Sequence, residues 1–375
     1  MFTLIKNSID IKMKLKLFIK NENDVMILIG VVFLLVLFTV FICSNKKEKL
    51  KIDKDYCKRF LIKENRKFPF RYFQDITGNA LPFVAVTGPF REAQAEVLFN
   101  EYLANGIYIF GITAYKTFPN RLRFGKEEGE YERKDTFDYV GKIKHWLCCF
   151  KDKESYGFTS FNKTLDISES DFYTEEKDLT TVKKYDFLYI CNKDEGDSCP
   201  LNGWNAINRN YELALKCFPI MCNELNLKGL IVGRVGCGLE DVYSSDIMEV
   251  SDWLDWGSLQ EKMKECRFLF VPNIYDASPR VVAECLTKGV AVVMNNNIIC
   301  GTKYIHHETG ELFTDETDVK DAIVSLMARI DVISPNTWWS ENFDQEQSYE
   351  KLHAFLNGAF PKTVLDSLTK VRFIL

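Results

Sequence analysis

From Asp186 to Met294 short apolar runs alternate with segments whose apolar residues recur at helical spacing, and few folds accept that pattern. Asp186–Cys191 (DFLYIC), Gly229–Gly233 (GLIVG), Arg267–Pro272 (RFLFVP) and Val290–Met294 read as strands buried on both faces. Between them Tyr211, Ala214, Leu215, Phe218, Met221, Cys222 and Leu225 form a helical stripe in which Pro219 predicts a kink. Ser258–Cys266 and Ser278–Lys288 supply two more helices. Strand–helix alternation of this kind predicts a parallel, doubly wound α/β sheet, and such sheets bind ligands at the carboxyl ends of their strands.

The chain has 375 residues, enough for two domains. Structure is expected from Phe68 onward, where Pro82–Thr87 (PFVAVT) reads as a strand ending in the turn Thr87-Gly88-Pro89. A helix over Phe90–Ala104 stops at Gly106, a strand follows over Ile107–Ile112, and further strands are expected within His145–Phe150 and Tyr156–Ile167. Residues 121–135 are a charged, solvated insertion, and the polar stretch 175–184 reads as the linker. The expected division is an N-terminal domain over 68–177, a C-terminal domain over 185–345 and a helical segment over 346–375.

Ahead of both domains, Val25–Cys43 is a run of 19 residues without a charge, close to the length that crosses about 30 Å of hydrocarbon. It reads as one retained transmembrane helix, because Ile42, Cys43, Ser44 and Asn45 offer no small-x-small cleavage site. Residues 1–24 form a basic segment before it, and 44–67 a Lys-rich stalk after it. The larger basic cluster follows the helix, which favours a cytosolic body, with the luminal orientation as the alternative. Twelve cysteines at irregular spacing spell neither a zinc site nor a disulfide framework and read as reduced, buried thiols. Asn162-Lys163-Thr164 is a glycosylation sequon. Residues 1–67 hold 15 basic and 7 acidic side chains, so the strong acidic excess of the remainder excludes a nucleic-acid groove.

The chemistry concentrates in Phe268–Asn295 (FLFVPNIYDASPRVVAECLTKGVAVVMN). Ser278 is a strong N-cap type and Pro279 suits the first helical position, so the helix mouth offers free N–H groups to a phosphate. Arg280 is a cation at the wrong end of the helix dipole, an arrangement that a bound diphosphate reverses; the alternative is a surface pair with Glu284. Asp276 and Glu284, with seven residues between them, bracket this turn, and Glu284 falls about 130° from the centre of the helix's apolar stripe. Carboxylates beside a phosphate site suit neutral hydroxyls, which donate well to them. A nucleotide sugar carries both groups.

At this point the chain resembles the retaining group 1, family 4-like glycosyltransferases of GT-B fold, whose mark is two acidic residues separated by seven at a strand-to-helix junction. The resemblance runs from about Asp186 to Asp315. It includes Lys288-Gly289-Val290-Ala291-Val292-Val293 and Thr309-Gly310-Glu311-Leu312-Phe313, and it departs from the family in having Asp276 for the first Glu and Ala277-Ser278-Pro279-Arg280 for a Gly-rich turn. It implies two Rossmann-like doubly wound domains facing a cleft. Asp276 would then contact the transferred sugar, Glu284 the ribose hydroxyls, and the turn at Ser278, Pro279 and Arg280 the diphosphate. Arg209 and Lys193 are the further candidates for that diphosphate, and Gly88 for its opposite side.

The expected activity is transfer of a sugar from a nucleotide-diphosphate sugar to a glycan, lipid or protein acceptor with retention, by front-face attack, with no cofactor and no metal. Asp53-Lys54-Asp55 spells D-x-D by chance in the stalk, and His145, His306, His307 and His353 read as structural, His145 alone lying where an acceptor-side group is expected. A nucleotide-sugar epimerase of the same architecture and a non-catalytic anchored interaction protein are the alternatives.

Overall fold

A computed structural model of the chain describes residues 68–74, 80–113, 118–119, 137–174, 181–194 and 199–357. The expected transmembrane helix, the basic segments around it, the charged insertion at 121–135 and most of the linker lie outside these residues. Among the described residues no helix is long and apolar enough to cross a membrane.

The first body is a five-stranded sheet of β1 (Phe70–Gln74), β2 (Ala80–Val86), β3 (Tyr108–Ile112), β4 (His145–Leu147) and β5 (Lys163–Leu165), with helix α1 (Ala93–Ala104) joining β2 to β3. Its strands lie in the order β1-β2-β3-β4-β5, with β1 antiparallel to β2 and the other pairs parallel. This differs from the expectation of two doubly wound domains: among the described residues the strands follow one another across the sheet in chain order, with no switch point. Right-handed crossovers that all step the same way fall on one face. Val84, Val86 and Ile109 pack there against Leu98, Phe99 and Tyr102 of α1.

The second body carries six parallel strands, β6 (Tyr185–Ile190), β7 (Gly229–Val232), β8 (Met248–Ser251), β9 (Cys266–Val271), β10 (Ala291–Asn295) and β11 (Gly310–Phe313). Helices α2 (Tyr211–Pro219), α3 (Trp256–Lys264), α4 (Arg280–Thr287) and α5 (Val319–Met327) follow β6, β8, β9 and β11, and α6 (Pro335–Asn342) and α7 (Asp344–Asn357) complete the described chain. The order β11-β10-β9-β6-β7-β8 reverses between β6 and β9, which is the doubly wound arrangement with its switch point at those two strands. Pro219 does not break its helix; the chain widens into a π turn over Ile220–Glu224, where Leu225 N–H reaches Ile220 O at 3.0 Å. Helix α3 starts two residues before its expected position because the Asp255 side chain caps it through Ser258 N–H at 3.1 Å.

The face of the first sheet that α1 leaves open is closed by α7, whose Leu352 and Leu356 pack on Phe83, Ala85, Phe110 and Leu147. Alternate residues of β2 thus serve two cores, as the period of a strand requires. Of the ten described cysteines eight are buried thiols, as expected, but Cys199 and Cys237 form a disulfide that the spacing did not reveal. It ties the loop after β6 to the loop after β7, two segments made neighbours only by strand pairing.

Candidate functional site

The carboxyl ends of β6 and β9 open on a cavity of about 440 Å³ whose walls include Ile190, Arg209, Trp256, Asn273, Asp276, Ser278, Arg280 and Glu284, together with Glu169 and Tyr173 from the segment before β6. Of the eight residues expected at the site, five come together here: Asp276, Glu284, Ser278, Arg280 and Arg209.

Asp276 sits in the loop after β9. Its Oδ1 accepts the backbone N–H of Ser278 at 3.1 Å, and its Oδ2 accepts Arg209 Nη1 at 2.8 Å and Asn273 Nδ2 at 3.4 Å. Arg209 reaches it from the end of the turn Trp204–Asn208, where Tyr189 holds the Arg209 carbonyl at 3.1 Å. The next residue, Asn210, bonds the Pro272 carbonyl at 3.0 Å and so fastens the β6 loop to the end of β9.

The start of α4 differs from expectation. The helix begins at Arg280 with Pro279 in the cap position and no side-chain cap bond. Ser278 O takes the Arg280 N–H at 2.8 Å, the donor a capping hydroxyl would use, and the Ser278 hydroxyl meets the Ser170 hydroxyl at 2.9 Å. Pro279 is buried outside the cavity walls, against Gly301, where a Cβ would lie 2.5 Å from Pro279 Cγ. The alternative considered for Arg280, a surface pair with Glu284, is not formed; Arg280 Nε faces Glu169 Oε1 at 3.5 Å instead.

Glu284 is 8% exposed. Its Oε1 accepts the Tyr173 phenol at 2.8 Å, and burial, then the Glu284 charge, push the Tyr173 hydroxyl far above the usual tyrosine range, so it remains a donor. Besides Pro279, two expected ligand contacts are not brought in. Lys193 lies 4.0 Å from Asp252 on the β8 side, and Gly88 closes a turn in the first body whose Thr87 N–H bonds Pro69 O at 2.9 Å; neither lines the cavity. His145 is buried beneath α7 beside Tyr108 and Phe355, a core position rather than an acceptor-side one.

Four residues of the site region carried no sequence expectation. Tyr173 and Asn273 contact the two acids, and Trp256 lines the rim with 67% of its surface exposed. Arg234, fully buried, donates from Nε and Nη2 to Cys191 Sγ at 3.2 and 2.9 Å and lies 4.4 Å over the Tyr211 ring, bracing the β6 loop from behind. A charge directly after the buried run GLIVG, at a strand's carboxyl end, is the signal that could have found it. Among the described residues no group of three or more His, Cys, Asp and Glu is placed to hold a metal ion.

The chain matches no family model and no curated protein in sequence. Its fold is similar to that of solved structures at low identity. TarM is 13% identical over 67% of this chain and 51% of that one, with a TM-score of 0.48. The pneumococcal O-GlcNAc transferase GtfA, in complex with UDP and GlcNAc, is 12% identical over 73% and 55%, at 0.49. The lipopolysaccharide outer core galactosyltransferase WaaB in its apo form is 13% identical over 72% and 74%, at 0.47. The chain spans about half the length of TarM, and likeness at this level carries nothing about activity.

Proposed function

We propose that this protein is a glycosyltransferase of the GT-B class that takes a sugar from a nucleotide-diphosphate sugar and passes it, with retention, to a glycan, lipid or protein acceptor. The observation that carries the reading is the meeting of Arg209, Asp276 and Glu284 in one cavity at the switch point of the second sheet. That is the place where an open α/β sheet presents a ligand site. The Arg209 guanidinium supplies the charge for a diphosphate, Glu284 an acceptor for ribose hydroxyls and Asp276 one for the transferred sugar. Ile190 and the Trp256 indole offer a flat apolar wall for the nucleobase. In this reading the work on the reaction is stabilisation of the leaving diphosphate, whose oxygens take the acceptor's proton.

The same proposal includes anchoring through residues 25–43. The Cys199–Cys237 disulfide supports the oxidising side for the body, the alternative orientation, because disulfides persist where thiol reductants do not reach.

A thermal-shift panel of UDP, GDP, ADP and their sugar conjugates tests the reading, since a ligand that binds only the native state raises the melting temperature. A shift with one nucleotide family, and loss of donor turnover in Asp276→Ala and Glu284→Ala, is expected. No shift with any member, or full turnover in either variant, overturns it.

A further inference from the structure

The segment Ser168–Tyr173 belongs to neither sheet, yet it contacts three of the residues that build the cavity. Ser170 meets Ser278 at 2.9 Å, Glu169 faces Arg280 at 3.5 Å and Tyr173 donates to Glu284 at 2.8 Å. The segment is fixed from several sides. Ser168 bonds Tyr304 at 3.2 Å, Asp171 is paired with Lys303 at 2.8 Å, and Ser348 of α7 donates to the Asp171 carbonyl at 2.7 Å. The Tyr173 carbonyl accepts the indole N–H of Trp339, a fully buried residue of α6, at 2.8 Å. From this fixed backbone the Tyr173 side chain lines the cavity.

Among the described residues Tyr173 is the one donor to the Glu284 carboxylate. A carboxylate taken out of water and left without a donor loses its preference for one rotamer and for the ionised form. A phenol supplies one strong, uncharged hydrogen bond and adds no cation that would compete for the diphosphate.

We infer that Tyr173 is a positioning residue for Glu284: its hydroxyl holds Oε1 and leaves the second oxygen directed at the ribose hydroxyls of the donor. The inference rests on the nucleotide-sugar reading above and adds to it the group from outside the second sheet that completes the ribose contact. It also makes Glu284 competent only when Ser168–Tyr173 is docked, so the first body's last segment is part of the donor site.

The test compares UDP, GDP and ADP with their 2′,3′-dideoxy analogues on the full-length protein, by dissociation constants for wild type, Tyr173→Phe, Glu284→Gln and the double variant. Wild type should prefer the ribonucleotide by about tenfold or more, the range of a hydrogen bond to a charged group. Tyr173→Phe should bring that ratio towards one while leaving the affinity for the dideoxy analogue unchanged, and should add nothing in the Glu284→Gln background. Equal weakening of both ligands in Tyr173→Phe would assign Tyr173 a packing role and overturn the inference alone. A wild-type protein that does not discriminate overturns the ribose role of Glu284 and this inference with it. One that binds no nucleotide overturns the whole reading of the site.

Discussion

Arg209 and Asp276, 67 residues apart in the chain, meet through one contact of 2.8 Å from Nη1 to Oδ2. The cation assigned to a diphosphate and the acid assigned to a sugar therefore neutralise one another. Their side chains are 38% and 17% exposed, so solvent screens the pair and it contributes roughly 1 kcal/mol or less. A diphosphate with two or more negative charges outcompetes a single carboxylate for that guanidinium. On the proposed function, arrival of the phosphates would free Asp276 for a sugar hydroxyl, so that the diphosphate end of the donor prepares the sugar end.

Competition of this kind fixes the sign of two substitutions. Asp276→Asn removes both the rival for Arg209 and a negative charge beside the phosphates, so UDP should bind roughly fivefold more tightly while sugar transfer is lost. Arg209→Ala should weaken UDP about tenfold or more. Calorimetric titration of both variants checks the pair, and weaker binding by Asp276→Asn would show that the acid helps to hold the nucleotide.

His145 makes a separate prediction about acid stability. It is 6% exposed, beside the Tyr108 hydroxyl at Nδ1, and burial, with Lys163 and Lys144 adding to it, lowers its pKa to about 4. The folded protein keeps this imidazole neutral, whereas the unfolded chain protonates it near 6.5. The associated stability is complete above that value and is lost as pH falls from 6.5 towards 4, the loss amounting to about 3 kcal/mol at the low end. Urea unfolding from pH 7 to 4.5 should show this slope, and His145→Gln should flatten it.

Strands β6, β7, β9 and β10 were legible because both faces are buried and the residues between their ends are almost all apolar. β8 (Met248–Ser251) was not, because an edge strand with only Met248 buried leaves no continuous apolar run. The two acids stand out from the helix signals around them, whereas Arg209 is a candidate only through the family resemblance, which also offers Lys193. The residue type of Ser278 favours the cap role, but its own carbonyl accepts the Arg280 N–H, the donor that a capping hydroxyl would use. Tyr173 had no signal at all: its partner Glu284 lies 111 residues away, and the approach depends on α6 holding the Tyr173 backbone.

The Cys199–Cys237 bond closes a loop with a sequence separation of 38. A loop of that length predicts about 3–4 kcal/mol of stabilisation from the constrained unfolded chain. Cys199→Ser should lower the melting temperature by several degrees, and reductant should do the same to wild type but not to the variant. In native membranes, wild type should show no thiol reactivity at these positions until it is reduced. Reactivity without reductant would place the body on the reducing side and reverse the proposed orientation.

Gly301 gives the sharpest test of how the helix mouth is built. Its φ is +99°, and a Cβ there would stand 2.5 Å from Pro279 Cγ, a ring atom with no rotamer to escape into. Gly301→Ala combines left-handed backbone strain of about 1–2 kcal/mol with a collision that must push Pro279, and with it the first turn of α4. Gly236 supplies the control: its φ is +73°, but nothing lies within 4 Å of the added carbon, so Gly236→Ala carries the strain without the collision. The two variants should both lose stability in urea, Gly301→Ala the more, and only Gly301→Ala should weaken UDP, because Ser278 and Arg280 move with the displaced proline. Equal UDP affinity in both would mean that the position of the α4 mouth does not set nucleotide binding, and would shift the diphosphate contact onto Arg209 alone.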